Sequence, residues 1–243
     1  MIASLGMYDM PHQRGAHDRL WSGIRDALGY GPDQLSRGGD AWGEWQSPDL
    51  LLAQTCGLPY RARLHDSVTL VGTPHYDLRD CPPGYYFSYL IRRSDDTRPL
   101  EILAKQGLMA FNDPLSQSGW AAPLDHLNGH KPANTMQTHG HVASIEAVRQ
   151  HEADFAAIDA LTYILWADAH PEHSVQIETF DRTNPTPALP YITARDRDPA
   201  PIAAAIQTAI DALSHADRQA LHLKGLVYIP ASAYLALPIP PAP

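Results

Sequence analysis

The chain alternates short apolar runs with stretches of helical spacing, and this alternation restricts it to an α/β architecture. The run "FAAI" (155–158) makes the point most sharply. It is apolar on both faces, which suits a parallel strand covered by helices on each side. "IASLGM", "LLLAQT", "VTLVGT", "YYFSYLIRR", "GLMAFN", "VQIETF" and "YITA" read as further strands, and "TMQT" as a weaker one. After Pro11, residues Leu20, Trp21, Ile24, Ala27 and Leu28 recur at helical spacing, and Gly29 suits the stop of that helix. "ASIEAVRQ" and "LTYILWADA" are helical, and Ile202, Ala205, Ile206, Ala209, Ile210 and Leu213 mark a helix over 201–213.

A chain of 243 residues is too long for one small core and suits two lobes. The stretch "DRTNPTPALP" reads as a crossing between them. Lobe one then spans 1–87 plus 184–243, with lobe two, 88–183, inserted. A monomer is expected. The formal charge is −9, and no basic cluster exceeds Arg92-Arg93, which excludes nucleic acid as a partner. Any anion site must therefore be built locally, against the field of the chain. No apolar run approaches the ~20 residues of a membrane helix. The opening "MIASLGMYDMP" has no export-signal pattern, so the expectation is a cytoplasmic chain or an exported one whose signal has been removed. Cys56 and Cys81 form no CxxC motif, and a bridge and two buried thiols fit equally well.

Ligands of open α/β sheets bind outside the carboxyl ends of the strands. Those positions here hold Tyr8 and Asp9; Gln54, Thr55 and Cys56; Thr73, His75 and Tyr76; Asn112 and the Ser116–Gly119 turn; Thr138, His139 and His141; and Asp159. Each has an ordinary structural explanation, since serine and threonine cap helices and tyrosine fills cores. Their recurrence is what points to a ligand. The turn Ser116, Gln117, Ser118, Gly119 opens a helical segment with hydroxyls, an amide and a glycine, and with no lysine or arginine. Helix-terminal N–H groups, two hydroxyls and close backbone approach at Gly119 can hold phosphate or phosphonate without a cation. "THGHVAS" offers a second helix start, with His141 as donor and Ser144 in its first turn. Pro123 requires the first of these helices to kink or to start late. Asp159 is read either as a helix cap or as a carboxylate that leaves the strand's carboxyl end towards a ligand.

Two rival chemistries are disfavoured. His139-x-His141 has no acidic or cysteine ligand beside it, and His170 and His173 stand in polar surface contexts, so neither a metal nor another cofactor is expected. "LSQSG" lacks the first glycine of a G-x-S-x-G nucleophile elbow.

From residue 1 to about 230 the chain resembles the phosphate/phosphonate-binding components of ABC importers, a family with the type 2 periplasmic-binding-protein fold. The resemblance rests on "MYD", "LLLAQTCGLPY", "TPHY", "CPPGYYFSYLIRR", "FNDPLSQSG", "THGHVASIEAV", "AAIDALTY" and "ALPYIT". It implies two α/β lobes, each a mostly parallel sheet flanked by helices, with the ligand cleft between them. "SQSG" resembles the family's anion-cradling Ser-x-Ser-Gly turn, with Gln117 in place of a small hydroxylated residue. His141 and Ser144 resemble its second helix start, Asp159 its amine-facing acid, and Tyr8 and Tyr76 its aromatic cleft positions. The implied function is binding of a small anionic or zwitterionic solute for an ABC permease, without catalysis and in the periplasm if exported. A cytosolic enzyme or ligand sensor on the same fold is the alternative.

Overall fold

Twelve strands form in chain order: β1 (Ile2–Ser4), β2 (Leu50–Gln54), β3 (Val68–Tyr76), β4 (Tyr85–Tyr86), β5 (Ser88–Arg93), β6 (Leu108–Phe111), β7 (Asn134–Gln137), β8 (Phe155–Asp159), β9 (Ile177–Arg182), β10 (Thr186–Pro187), β11 (Tyr191–Ala194) and β12 (Leu223–Val227). The structure is a computed structural model that describes residues 1–243. The chain divides into two compact units, Met1–Tyr85 with Pro187–Leu237, and Tyr86–Thr186 with Pro238–Pro243. The first contains a five-stranded sheet of order β1-β2-β11-β3-β12, and the second one of order β7-β6-β8-β5-β9. The sequence division assigned the C-terminal tail to lobe one, whereas residues 238–243 group with the second unit. Two hydrogen bonds anchor the tail there: Trp120 Nε1 donates to the Pro241 carbonyl (2.9 Å) and Lys131 Nζ to that of Ala242 (2.6 Å).

Both sheets are mixed, which corrects the expectation of mostly parallel ones. β1–β2, β6–β7 and β6–β8 are parallel, while β11 runs antiparallel to β2 and β3, β12 to β3, and β5 to β8 and β9. A parallel neighbour requires a long crossover, usually a helix. β5 and β11 are each the first long strand after the chain passes from one unit to the other. No crossover helix precedes either, and each enters its sheet in the opposite direction.

In the second unit, successive residues of the central strands go to opposite cores, as period-two geometry requires. Ala156 and Ile158 of β8 join Ile91, Ala110, Ile145, Val148 and Trp166 on one face. Phe155 and Ala157 join Leu90, Leu103, Met109, Phe111 and Trp120 on the other. The wholly apolar run at 155–158 thus reflects a strand covered on both sides. Leu103 belongs to a helix at Leu100–Gln106 that the sequence reading missed; it buries only that one residue, too little to set a periodicity. In the first unit β2 is buried throughout, and the helix Arg14–Leu28 buries Leu20, Trp21 and Ile24. Gly29 ends that helix at φ +76°, the left-handed stop the sequence indicated.

Candidate functional site

Because β7, β6 and β8 are adjacent and parallel, the turns that leave their carboxyl ends share one edge of the second unit's sheet. Those turns carry Ser116–Gly119, Thr138–His141 and Asp159. After β6, Ser116 caps the next segment: its Oγ accepts from the Gly119 amide at 2.9 Å. Residues Gln117–Ala121 then form one π-helical turn, and an α-helix follows at Ala122–His126 with Pro123 in its first turn. The proline that demanded a kink or a late start is accommodated in this way. In a π register the Ser118 carbonyl faces the nitrogen of Pro123, which carries no hydrogen. The buried Ser88 hydroxyl of β5 donates to that carbonyl at 2.9 Å instead. Ser88 lies opposite Asp159 in the β5–β8 ladder, so one residue ties the Ser118 turn to the end of β8. The sequence reading passed over it, since a lone serine inside an apolar strand shows no pattern.

A side chain at Gly119 would have to displace that of Asn112. A Cβ there would sit 1.9 Å from Asn112 Oδ1, 3.0 Å from Asn112 Cγ and 3.3 Å from His141 Cε1. After β7, Thr138 closes the second turn. Its hydroxyl reaches the carbonyls of Phe111 (3.1 Å) and Gly140 (3.2 Å) and lies 2.6 Å from Ser144 Oγ. Carbonyls only accept, so the Thr138 proton goes to them, and Ser144 donates its own to Thr138. Ser144 is fully buried and thereby locks the loop from behind. His139 sits at φ +64°, an unfavourable region for a side-chain-bearing residue.

His141 begins the helix His141–Arg149, and its Nε2 lies 2.7 Å from Ser118 Oγ. The residue retains some exposure, yet its Nδ1 is enclosed and has no hydrogen-bond partner. Burial pushes the imidazole pKa down to about 4, so the ring is neutral near pH 7. A neutral ring carries one proton. If it sits on Nε2, the ring donates to Ser118 and the serine proton can turn to a ligand; if on Nδ1, Ser118 donates to the ring. His139 and His141 do not converge on a metal, because His141 Nε2 is engaged by Ser118 and His139 is exposed beside Gln137. His170, Glu172 and His173 do come within 4.8 Å of one another. The two rings are nearly parallel (19°) with centroids 5.8 Å apart.

Asp159 ends β8 fully buried, and its Oδ1 accepts from the Thr162 amide at 3.0 Å, so it caps the helix Ala160–Ala169. Gln117 is also buried in its turn. In the first unit, Tyr8 and Tyr76 meet edge to face at 5.2 Å, and Gln54 Nε2 donates to Tyr76 Oη (2.9 Å) and to the Leu189 carbonyl (3.1 Å). Both Nε2 hydrogens are therefore engaged, one on Tyr76 and one on the backbone. Thr55 is fully buried, with its amide on the Pro190 carbonyl. Cys56 and Cys81 both lie in this unit as half-buried thiols.

Two α/β units with mixed sheets, helices on their faces and polar turns at the strand ends make up the fold seen in type 2 periplasmic binding proteins. Residues 52–232 match the family model described as ABC transporter, phosphonate, periplasmic substrate-binding protein, and the chain belongs to that family. The family binds small phosphonate ligands, works with ABC permeases and serves transport rather than catalysis. A search of curated protein sequences finds no match. Among solved structures, the binding-protein component of an ABC phosphonate transporter from Pseudomonas aeruginosa aligns with a TM-score of 0.72 at 14% identity, covering 93% of this chain and 80% of that one. PhnD1 from Prochlorococcus marinus, in complex with methylphosphonate, aligns with 0.70 at 16%, covering 96% and 94%. A Xanthomonas citri protein bound to ATP aligns with 0.67 at 16%, covering 97% and 95%. No helix is long and apolar enough to cross a membrane.

Proposed function

We propose that this protein is the periplasmic solute-binding component of an ABC importer for a small phosphonate. The anionic end of the ligand is held by Ser116, Gln117, Ser118, Gly119 and His141, with Ser144 behind them. Asp159 faces a cationic or hydroxyl group at the other end; in the first unit the candidate residues are Tyr8 and Tyr76, with Gln54 holding Tyr76 in place and Thr55, next to Gln54 in sequence, buried. The observation that carries this reading is the Ser118–His141 pair, a hydroxyl and a neutral ring joined at 2.7 Å where three parallel strands end. The turns that leave those ends at 112–122 and 138–148 contain no lysine or arginine. An anion favours the proton on Nε2, because the ring then donates to Ser118 and the serine hydroxyl donates to the ligand. Hydroxyl donors and a helix start with unpaired N–H groups suffice for such a ligand.

Calorimetry with methylphosphonate tests the assignment. Ser118→Ala removes a donor that caps nothing, and binding weakens by about 1–3 kcal/mol, the range for a hydrogen bond to a charged group. Ser116→Ala also removes the bond from the Gly119 amide, so it lowers stability by about 1 kcal/mol besides. Unchanged affinity in Ser118→Ala defeats the reading.

A further inference from the structure

Arg195 and Arg197 are the arginines whose side chains have no partner. Every other arginine in the chain has one, be it a carboxylate, a carbonyl, an aromatic face or another contact. In a chain of net charge −9, two unpaired guanidiniums two residues apart stand out against that pattern. Both line a cavity of about 640 Å³ in the first unit, together with Tyr30, Ser47 and Ser67. That volume lies within the usual range for small-molecule sites, about 300–1,000 Å³.

The fold explains why these residues meet. Ser47 precedes β2, Ser67 precedes β3, and β11, which runs the other way, ends at Ala194 opposite Val68. The cavity therefore sits at the amino edge of β2 and β3. Gln54 and Tyr76 lie at the opposite ends of those strands, about 13 Å away along β2 at 3.3 Å per residue. The helix Pro199–Ala212 starts at this edge, and Pro201 lines the cavity, so the positive end of a four-turn helix adds to the two cations. Asp198 and Asp196 also line it; the Asp198 carboxylate is committed to the Ala200 amide at 3.0 Å as that helix's cap. The Arg197 Nε–H is enclosed and has no acceptor. Tyr30, just past the left-handed stop at Gly29, presents a half-exposed ring at the rim.

We propose that this cavity is a second ligand site, separate from the strand-end turns, and that it takes a small organic phosphate bearing a flat ring. Arg195 and Arg197 receive the phosphate, and Tyr30 stacks on the ring. Untagged full-length protein, with methylphosphonate present in excess, is titrated with AMP, and in parallel with adenosine and with inorganic phosphate. The expected result is one further AMP bound, with Kd below about 1 mM. Arg195→Gln and Arg197→Gln each weaken it at least tenfold without lowering the melting temperature. Tyr30→Ala weakens AMP but leaves inorganic phosphate unchanged, and Ser118→Ala leaves AMP binding intact. No AMP binding, binding indifferent to both arginine variants, or binding lost in Ser118→Ala overturns the proposal. None of these outcomes bears on methylphosphonate affinity at the Ser118 turn, which is read separately.

Discussion

Asp159→Asn separates two roles that the wild-type carboxylate combines. Oδ1 accepts from the Thr162 amide at 3.0 Å at the start of a ten-residue helix. An asparagine carbonyl can accept the same bond, and the two residues rank together as N-caps. The structural cost of the substitution is therefore small, under about 1 kcal/mol, whereas Asp159→Ala loses the cap at about 0.5–2 kcal/mol. The ligand term is larger and depends on charge. A hydrogen bond to a charged partner contributes about 1.5–3 kcal/mol, so loss of the carboxylate weakens a ligand ammonium by about 10- to 150-fold. Inorganic phosphate should respond in the opposite sense, because a carboxylate near a dianion is repulsive unless a shared proton joins them. Calorimetric titration of wild type, Asp159→Asn and Asp159→Ala with aminoethylphosphonate, methylphosphonate and phosphate, beside melting curves, resolves the two roles. The expected pattern is a selective loss for aminoethylphosphonate in Asp159→Asn with a nearly unchanged melting temperature. Equal losses for all three ligands, or no loss for the aminophosphonate, would falsify the amine-facing role and leave Asp159 as a cap alone.

Two further perturbations probe the same edge of the second unit. Gly119→Ala places a methyl group 1.9 Å from Asn112 Oδ1, so stability falls by about 1–3 kcal/mol and phosphonate affinity drops with it; chemical denaturation of the Gly119→Ala/Asn112→Ala pair should recover much of the lost stability, and no recovery places the strain elsewhere. His141 has its folded pKa lowered from 6.5 to about 4, so its neutral form is the native one. The unfolded state then binds more protons between these values, and the His141 contribution is complete above pH 6.5 and lost as pH falls towards 4. At most it amounts to about 3 kcal/mol. The stability difference between wild type and His141→Gln, measured by urea denaturation from pH 4.5 to 7.5, should narrow as pH falls; a difference independent of pH removes the buried-imidazole argument.

The parts of this molecule that the sequence reveals are those that repeat. Apolar residues in consecutive positions mark β2 and β8 because both faces of these strands are covered, and spacing of three and four residues marks the helices Arg14–Leu28 and Pro199–Ala212 because one stripe of each is buried. Strand direction leaves no such trace: β5 and β11 run against the strands beside them, since direction depends on where the chain came from. At the candidate site, the strand-end rule selects Ser116–Gly119, His141 and Asp159, but composition cannot distinguish a residue that faces a ligand from one that supports it. Ser144 and Gln54 look like donors in the sequence, yet their hydrogens are engaged by Thr138, Tyr76 and Leu189. Ser88 looks like an interruption of a strand and turns out to hold the carbonyl that Pro123 leaves without a donor. The two positions are linked across 35 residues by a single missing N–H, a dependence that exists only once the π turn has formed. The Ser118 turn therefore relies on a hydroxyl from β5, the strand that enters the sheet against its neighbours, and the antiparallel pairing that the sequence did not show is what brings that hydroxyl to the end of β8.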